Sequence, residues 1–202
     1  MKVYEFPIAP NPRKLRVYLG EKQIPVEYVR VSLPEGEQRQ PEFLKKNPAG
    51  NLPVLELDDG TCLTESLAII EYLEELHPEP CMIGTTPLER ARVRKLERWC
   101  ELGVLVGVGR WFHGTLAPLP GAEPNPAIAD WGRQWVQAPL RRLEDEMRDG
   151  RPFVAGDRPS IADCTLFAAF ELAHFSKLEI PKELAHLHRW HADFSSRPSA
   201  QP

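Results

Sequence analysis

The sequence lacks any apolar run that approaches the ~20 residues needed to span a membrane. Its first residues also lack the apolar segment of a secretory signal, so we expect a cytoplasmic protein without a membrane partner. An excess of basic residues is absent as well, because 25 lysines and arginines face 29 acidic residues, giving a net charge of -4. That balance argues against nucleic acid as a partner.

Closely spaced cysteines are also missing. The four cysteines form neither a CxxC pair nor a zinc-binding pattern, and they are Cys62, Cys81, Cys100 and Cys164. We therefore predict free thiols and no metal cofactor. Three histidines, His186, His188 and His191, lie close together, but neither a cysteine nor a carboxylate lies between them to support a metal site. We interpret them as a solvated or hydrogen-bonded cluster.

The first 80 residues are predicted to alternate between strands and helices, which is typical of a small mixed sheet covered by helices. Strands are predicted at 2–6, 26–31, 54–57 and 61–64, with an Asp-Gly turn between the last two. Helical periodicity predicts helices at 11–21, 41–46 and 66–76. Asn11 is expected to cap the first of these helices and Pro12 to begin it.

After a linker at 78–86, the pattern is helical throughout. Helices are predicted at 87–106, 128–148, 161–175 and 181–194. The residues expected on the buried faces of the first two are Leu88, Val93, Leu96, Trp99, Trp131, Trp135, Leu140, Leu143 and Met147. Ser160 and Asp163 match a capping box of the form S-x-x-D, which predicts a structural role at a helix start.

The segment Asn51-Leu52-Pro53 predicts a site for a short peptide. Pro53 cannot donate to a sheet ladder, so it belongs at the start of a strand or on an edge. With a cis bond before Pro53, Leu52 would present its N–H and C=O to an extended peptide, which pairs with them as an added strand. Glu65 and Ser66 follow at a helix N-terminus, whose free N–H groups and partial positive charge suit a carboxylate.

Four motifs, in the order and spacing of one family, resemble the cytosolic glutathione transferases. They are Arg13, residues 47–55 (NPAGNLPVL), residues 65–73 (ESLAIIEYL) and residues 160–163 (SIAD). The resemblance covers nearly the whole chain and implies an α/β thioredoxin-like N-terminal domain at 1–78 and an all-α helical domain at 86–202. It also implies glutathione as co-substrate near the domain junction, a homodimer and a role in detoxification.

The same resemblance implies how glutathione is held. Ser66 and its backbone would bind the γ-glutamyl carboxylate, while Glu65 would face the ammonium group; alternatively, Ser66 is only a helix cap. Leu52, placed by Pro53, would offer its backbone to the cysteinyl unit.

The outer parts of the site are implied less directly. Gln38 and Asn51 lie where similar proteins place groups near the glycine carboxylate. Many relatives carry a cation at the position of Asn51, so we expect weaker binding at this end. Trp111 and His113 are candidates for the second-substrate pocket, or else belong to a frayed helix end. The glycines predicted to interrupt the helix just before them are Gly103, Gly107 and Gly109.

A hydroxyl is missing where the family places one. Members that resemble this chain carry a serine, or in some classes a cysteine or threonine, four residues before Arg13, and here that residue is Ala9. Tyr4, in the first strand, is the nearest hydroxyl. Asn11 is the alternative, because its amide N–H₂ donates to a thiolate even when its oxygen caps the helix. Bacterial nu-class relatives with asparagine at this place are associated with disulfide reduction by glutathione.

Three functions therefore compete. The first is a transferase that activates the glutathione thiol for attack on an electrophile. The second is a glutathione-dependent disulfide reductase that uses Asn11. The third is a non-catalytic binding protein on the transferase fold, which the alanine at position 9 favours.

Overall fold

The computed structural model describes residues 1–201. Its N-terminal part is a four-stranded sheet with three helices. The elements are β1 (Lys2–Glu5), α1 (Pro10–Lys22), β2 (Glu27–Arg30), α2 (Pro41–Leu44), β3 (Val54–Glu56), β4 (Cys62–Thr64) and α3 (Ser66–Leu76). The strands lie in the order β2-β1-β3-β4, with β1 parallel to β2 and antiparallel to β3. The predicted thioredoxin-like architecture is confirmed.

β1 and β3 are the two central strands of the sheet, because each pairs with a neighbour on both of its edges. Val3 lies opposite Tyr28 of β2 and opposite Leu55 of β3. Val3 and Leu55 are buried in one apolar core with Leu15 of α1 and Ile69 of α3. Alternation along the short strands therefore fixes which face of the sheet the helices cover.

The C-terminal part is entirely helical, as predicted. Its elements are α4 (Pro87–Arg98), a π-helical segment (Trp99–Leu105), α5 (Val106–Leu116), α6 (Pro126–Trp135), α7 (Gln137–Glu146), α8 (Ile161–Phe175) and α9 (Ala185–Ser195). The apolar helix α8 is buried along nearly its whole length and packs against α1 and α4. Within residues 1–201, no helix combines the length and the apolar content that crossing a bilayer requires.

The helix that begins as α4 at Pro87, called the long helix below, is not interrupted at its glycines, which corrects the prediction. It continues through the π-helical segment Trp99–Leu105 into α5 and ends at Leu116. Gly107 instead allows a close approach to the start of α7, because a Cβ atom there would lie 2.5 Å from Cγ1 of Val136. The glycine therefore serves helix packing rather than helix termination.

The predicted helix at 128–148 is two helices, α6 and α7, which meet at Val136. The two tryptophans of α6 were expected to be buried, but Trp131 is 51% and Trp135 is 42% exposed. The guanidinium of Arg110 lies over both rings, 3.8 Å and 4.8 Å from their centroids, so these rings stack on a cation at the surface. Leu88 is also exposed, because α4 has only just begun there.

Asp163 joins three separate segments beneath the start of α8. Its carboxylate accepts hydrogen bonds from the N–H of Val154 at 2.8 Å, from the N–H and hydroxyl of Ser160 at 2.9 Å and 2.8 Å, and from the indole of Trp190 at 2.8 Å. Burial raises the pKa of this carboxyl, although the four donors oppose the shift. The capping residue predicted from the sequence thus also fixes α9 and the loop before α8.

Replacing Asp163 by alanine should destabilise the protein by about 3 kcal/mol or more, because four donors lose their acceptor in the interior. The free energy of unfolding from urea denaturation measures this loss. The exposed Asp157, six residues earlier, provides the matched control, and Asp157→Ala should change stability by less than ~0.5 kcal/mol. Equal effects of the two variants would contradict the role assigned to Asp163.

Candidate functional site

A cavity of about 340 Å³ lies between the sheet part and the helical part of the chain. The first turn of α1, the loop before β3 and the start of α3 form most of its wall, and the long helix closes it with Glu101 and His113. Eight residues predicted from the sequence as site residues line it together, and His113 lines it as well. The eight are Ala9, Asn11, Gln38, Asn51, Leu52, Pro53, Glu65 and Ser66.

The loop before β3 offers unpaired backbone groups to the cavity. The Leu52–Pro53 peptide bond is cis. Within residues 1–201, neither the N–H nor the C=O of Leu52 makes a hydrogen bond. The side chain of Asn47 braces this loop: its amide donates to the carbonyl of Asn51 at 2.8 Å, and its oxygen accepts from the N–H of Ala49 at 3.0 Å. Asn47 is therefore a positioning residue that the sequence reasoning missed.

The start of α3 forms the opposite wall. Glu65 immediately precedes the helix with φ 66°, which is unusual for a residue with a side chain and marks local strain of about 1–3 kcal/mol. Ser66 is the first helical residue, and its hydroxyl makes no cap; it lies 3.4 Å from Oδ1 of Asn11 instead. The reading of Ser66 as a mere helix cap is therefore wrong. The free N–H groups of this first turn carry a partial positive charge toward the cavity.

Gln38 and Arg39 form a polar corner of the cavity. Gln38 is buried, and within residues 1–201 its Oε1 atom has no hydrogen-bond partner. Arg39 donates to the carbonyl of Ala49 at 3.1 Å and lines the same wall. The sequence reasoning expected this end to lack a cation because of Asn51; the structure provides one from Arg39. An orphaned buried amide beside a guanidinium suits a ligand that carries a carboxylate and an N–H.

A buried ion network connects the cavity to the interior. The ammonium of Lys14 lies 3.0 Å from Glu101 and 3.7 Å from Glu97, and both Lys14 and Glu97 are fully buried. Burial, followed by the neighbouring Glu101, raises the pKa of Glu97 to about 7. Burial also acts on Glu101, but hydrogen bonds with Glu97 and Lys14 outweigh it and lower the pKa of Glu101. Glu101, in the π-helical segment, therefore brings an ionised carboxylate to the cavity.

The sequence carries a signal for this network, and Lys14 near the start of α1 is predicted to make a structural pair. Glu97 and Glu101 are four residues apart, and they lie between buried positions of the long helix at Leu96, Cys100 and Val104. Acidic residues on an apolar helix face require a buried partner, and Lys14 is a lysine on the buried side of α1. Their pairing depends on how α1 packs against the long helix, which periodicity does not reveal.

The first turn of α1 corrects two expectations about the catalytic position. α1 begins at Pro10, so Ala9 occupies the cap position and Asn11 lies inside the helix, where it caps nothing. Within residues 1–201, the amide nitrogen of Asn11 has no hydrogen-bond partner, and Asn11 lines the cavity. The hydroxyl of Tyr4 donates to Glu56 at 2.8 Å, and Tyr4 lines neither this cavity nor its neighbour, so it is not available as the thiol activator.

A second cavity of about 350 Å³ adjoins the first and is predominantly apolar. The two share five lining residues: Ala9, Pro10, Leu33, His113 and Leu119. The rest of the second cavity includes Phe6, Phe112, Leu172 and Phe175. Partial desolvation of the ring in this wall lowers the pKa of His113, so the imidazole is neutral at pH 7.

Trp111, the other residue predicted for the second-substrate pocket, lies outside the apolar cavity. Trp111 lines neither of these two cavities, because its indole N–H donates to the carbonyl of Ser176 at 3.0 Å and turns the ring toward α8. The prediction that paired Trp111 with His113 in a second-substrate pocket is therefore corrected: only His113 reaches it. Phe112, the residue between them, provides the aromatic surface instead.

Comparison with known proteins identifies relatives for both parts of the chain. Residues 3–81 match the family model of the glutathione S-transferase N-terminal domain, and residues 126–193 match that of the C-terminal domain. Glutathione S-transferase 2 of Saccharomyces cerevisiae is 37% identical, covering 100% of this chain and 88% of that protein. FtsZ-localized protein A of Caulobacter vibrioides is 32% identical, covering 99% of this chain and 89% of that protein.

A solved structure shows the same architecture. The crystal structure of a glutathione S-transferase domain-containing protein from Marinobacter aquaeolei superposes with a TM-score of 0.92 at 36% identity, covering 100% of both chains. The fold of the chain, within which both cavities lie, is therefore shared with a solved structure of this family.

Glu97→Gln should alter how stability depends on pH. The pKa of Glu97 is about 7 in the folded protein and about 4.5 when exposed, so the folded state binds more protons than the unfolded state between these values. The contribution of Glu97 to the free energy of unfolding is thus present at low pH and lost as pH rises toward 7. The variant keeps a neutral side chain at every pH, so its stability relative to the wild type should rise between pH 5 and pH 7, by on the order of 2 kcal/mol.

Urea denaturation at a series of pH values measures this difference. Glu75→Gln, at an exposed position of α3, is the matched control and should give a difference that does not change with pH. A flat difference for Glu97→Gln as well would show that Glu97 titrates like an exposed carboxyl.

Proposed function

Because the chain belongs to the glutathione S-transferase family, we propose that it binds glutathione in the polar cavity and activates its thiol for attack on an electrophile held in the apolar cavity. The observation that carries this proposal is the junction of the two cavities. Ala9 and His113 line both, so a sulfur atom placed beside the first turn of α1 would face the apolar cavity directly.

The polar cavity offers a partner for each part of the tripeptide. We assign the γ-glutamyl carboxylate to Ser66 and the free N–H groups at the start of α3, and the ammonium group to the carboxylates of Glu65 and Glu101. The unpaired N–H and C=O of Leu52 would pair with the cysteinyl unit as an added strand. These assignments place opposite charges together and leave no ligand charge without a partner.

The glycine end completes the assignment. The side-chain amide of Gln38 and the guanidinium of Arg39 would receive the glycine carboxylate, with Asn51 at the exposed edge. We also propose that residues 1–78 form the glutathione-binding domain, that residues 86–202 form the domain that supplies the apolar cavity, and that the protein is a cytoplasmic homodimer.

Thiol activation without a hydroxyl at position 9 has to come from other donors. A free cysteine thiol has a pKa near ~8.5, and lowering it by about two units requires about 2.7 kcal/mol of preferential stabilisation of the thiolate. The start of α1 contributes through its free N–H groups. The amide of Asn11 would donate to the sulfur, and the neutral imidazole of His113 would accept the thiol proton.

Two other functions each have an observation in their favour. The free amide nitrogen of Asn11 favours glutathione-dependent disulfide reduction, in which the same thiolate attacks a disulfide. The alanine at position 9 favours a non-catalytic binding protein on this fold, and one relative, FtsZ-localized protein A, is named for its localisation and not for an activity. Ala9→Ser separates these readings: a retained catalytic site should gain transferase activity from the new hydroxyl, whereas a decayed site should gain little.

Ser66→Ala should weaken glutathione binding by about tenfold, a loss of ~1.4 kcal/mol, because a carboxylate loses a hydroxyl donor. Isothermal titration calorimetry with glutathione measures the affinity. Ser196→Ala, at an exposed position just after α9, is the matched control and should bind like the wild type. A wild-type protein that shows no heat of binding at millimolar glutathione would rule out the proposed function, and an unchanged Ser66→Ala would rule out the assigned contact.

Asn11→Ala should lower kcat/KM by about tenfold and move the acidic limb of its pH profile to higher pH, because the thiolate loses a donor. Asn11→Asp should lower kcat/KM further than Asn11→Ala does, since it places a negative charge beside the thiolate. Both an electrophile and a glutathionyl disulfide should be assayed, so that transfer and disulfide reduction are distinguished. A lower rate with an unmoved pH profile would indicate a role in packing rather than in thiol activation.

A further inference from the structure

Three side chains that commonly bind metals meet where α8 packs against α9. Glu171 and His174 are three residues apart on α8 and share one face of that helix, while His191 comes from α9. One ring nitrogen of each histidine and one oxygen of the carboxylate all lie within 4.8 Å of one another. None of the three lines the polar or the apolar cavity described above.

The distances are close to those of a coordination sphere. Nε2 of His191 lies 3.4 Å from Oε1 of Glu171, and Nδ1 of His174 lies 3.9 Å from the same oxygen. A tetrahedral zinc ion with ligand bonds of about 2.0–2.1 Å has ligand–ligand separations of roughly 3.3 Å. The first distance therefore already fits, and the half-exposed ring of His174 needs only a small rotation to complete the triangle.

The chemistry of the three groups also suits a cation. Two imidazole nitrogens and one carboxylate oxygen form the ligand set of zinc sites that retain an open coordination position. Metal binding at such a site displaces the proton from any imidazole that carries one.

Packing holds one ligand in place before any ion binds. The ring of His191 stacks on Phe167 at a centroid distance of 5.8 Å and lies 5.2 Å from the ring of Phe170. Its neighbour His188 is directed away, with Nε2 3.0 Å from the carbonyl of Pro181. An ordinary ion pair would account for Glu171 and His191. The half-exposed His174, one helical turn from Glu171, adds a third potential ligand, with its ring 4.9 Å from the ring of His191.

We propose that Glu171, His174 and His191 bind one divalent transition-metal ion of the zinc type and that the ion links α8 to α9. The sequence pattern led to the opposite expectation, because no carboxylate lies within the run of histidines at 186–191. The carboxylate comes from another helix. The proposal does not depend on glutathione binding, since the site lies outside both cavities.

Titration of the untagged, chelator-treated protein tests the site directly. Zinc should bind with one-to-one stoichiometry in calorimetry, and cobalt should give the visible absorption of a low-coordinate site that zinc then abolishes. Glu171→Gln and His174→Gln should each weaken zinc binding by at least ~tenfold, because each removes a ligand. His186→Gln is the matched control. His186 lies on α9, as His191 does, but outside the cluster, so this variant should bind zinc like the wild type.

Thermal unfolding provides a second readout. Zinc should raise the unfolding temperature of the wild type and of His186→Gln, and at the same zinc concentration it should raise that of His174→Gln clearly less. Since His174 is half-exposed, its replacement should not disturb the metal-free fold. Absence of saturable binding, or equal zinc affinity in the wild type and His174→Gln, would overturn the proposal.

Discussion

Lys14 carries a positive charge into the interior between α1 and the long helix, and the shape of the polar cavity depends on how that charge is balanced. Glu97 and Glu101 provide the balance from the other part of the chain. Because a buried charge without a partner is very costly, α1 and the π-helical segment cannot separate or rotate independently. The same contact sets the position of Glu101, and therefore of the wall that the helical part contributes to the cavity.

Other polar contacts reinforce this junction. Arg197 pairs with Glu21 near the end of α1, and Arg13 donates to the carbonyl of Ala200 at 2.6 Å. Helix α1 is thus fixed to the helical part near its start and near its end. The position of Ala9 and Asn11 relative to His113 follows from these contacts, so the geometry at the junction of the two cavities is a consequence of buried charge pairing and not only of apolar packing.

The sequence predicts some parts of this structure much better than others, and the reasons are physical. The bounds of α3 and α8 are predicted correctly because local periodicity defines both helices and a capping box marks the start of α8. The exposure of Trp131 and Trp135 was predicted wrongly, because a cation from a different helix covers their faces. The corner at Leu52 and Ser66 was predicted from local chemistry. Arg39, Glu101 and the Glu171 cluster were missed because their positions depend on tertiary contacts.

The central claim is that this cavity activates the thiol of bound glutathione although no hydroxyl stands at position 9. The most direct test is an ultraviolet titration of glutathione bound to the wild-type protein, which follows thiolate absorbance against pH. The account predicts that the bound thiol ionises about two pH units below the ~8.5 of a free thiol. Bound glutathione that ionises near its solution value would contradict it, and would identify the cavity as a site that holds the peptide without activating it.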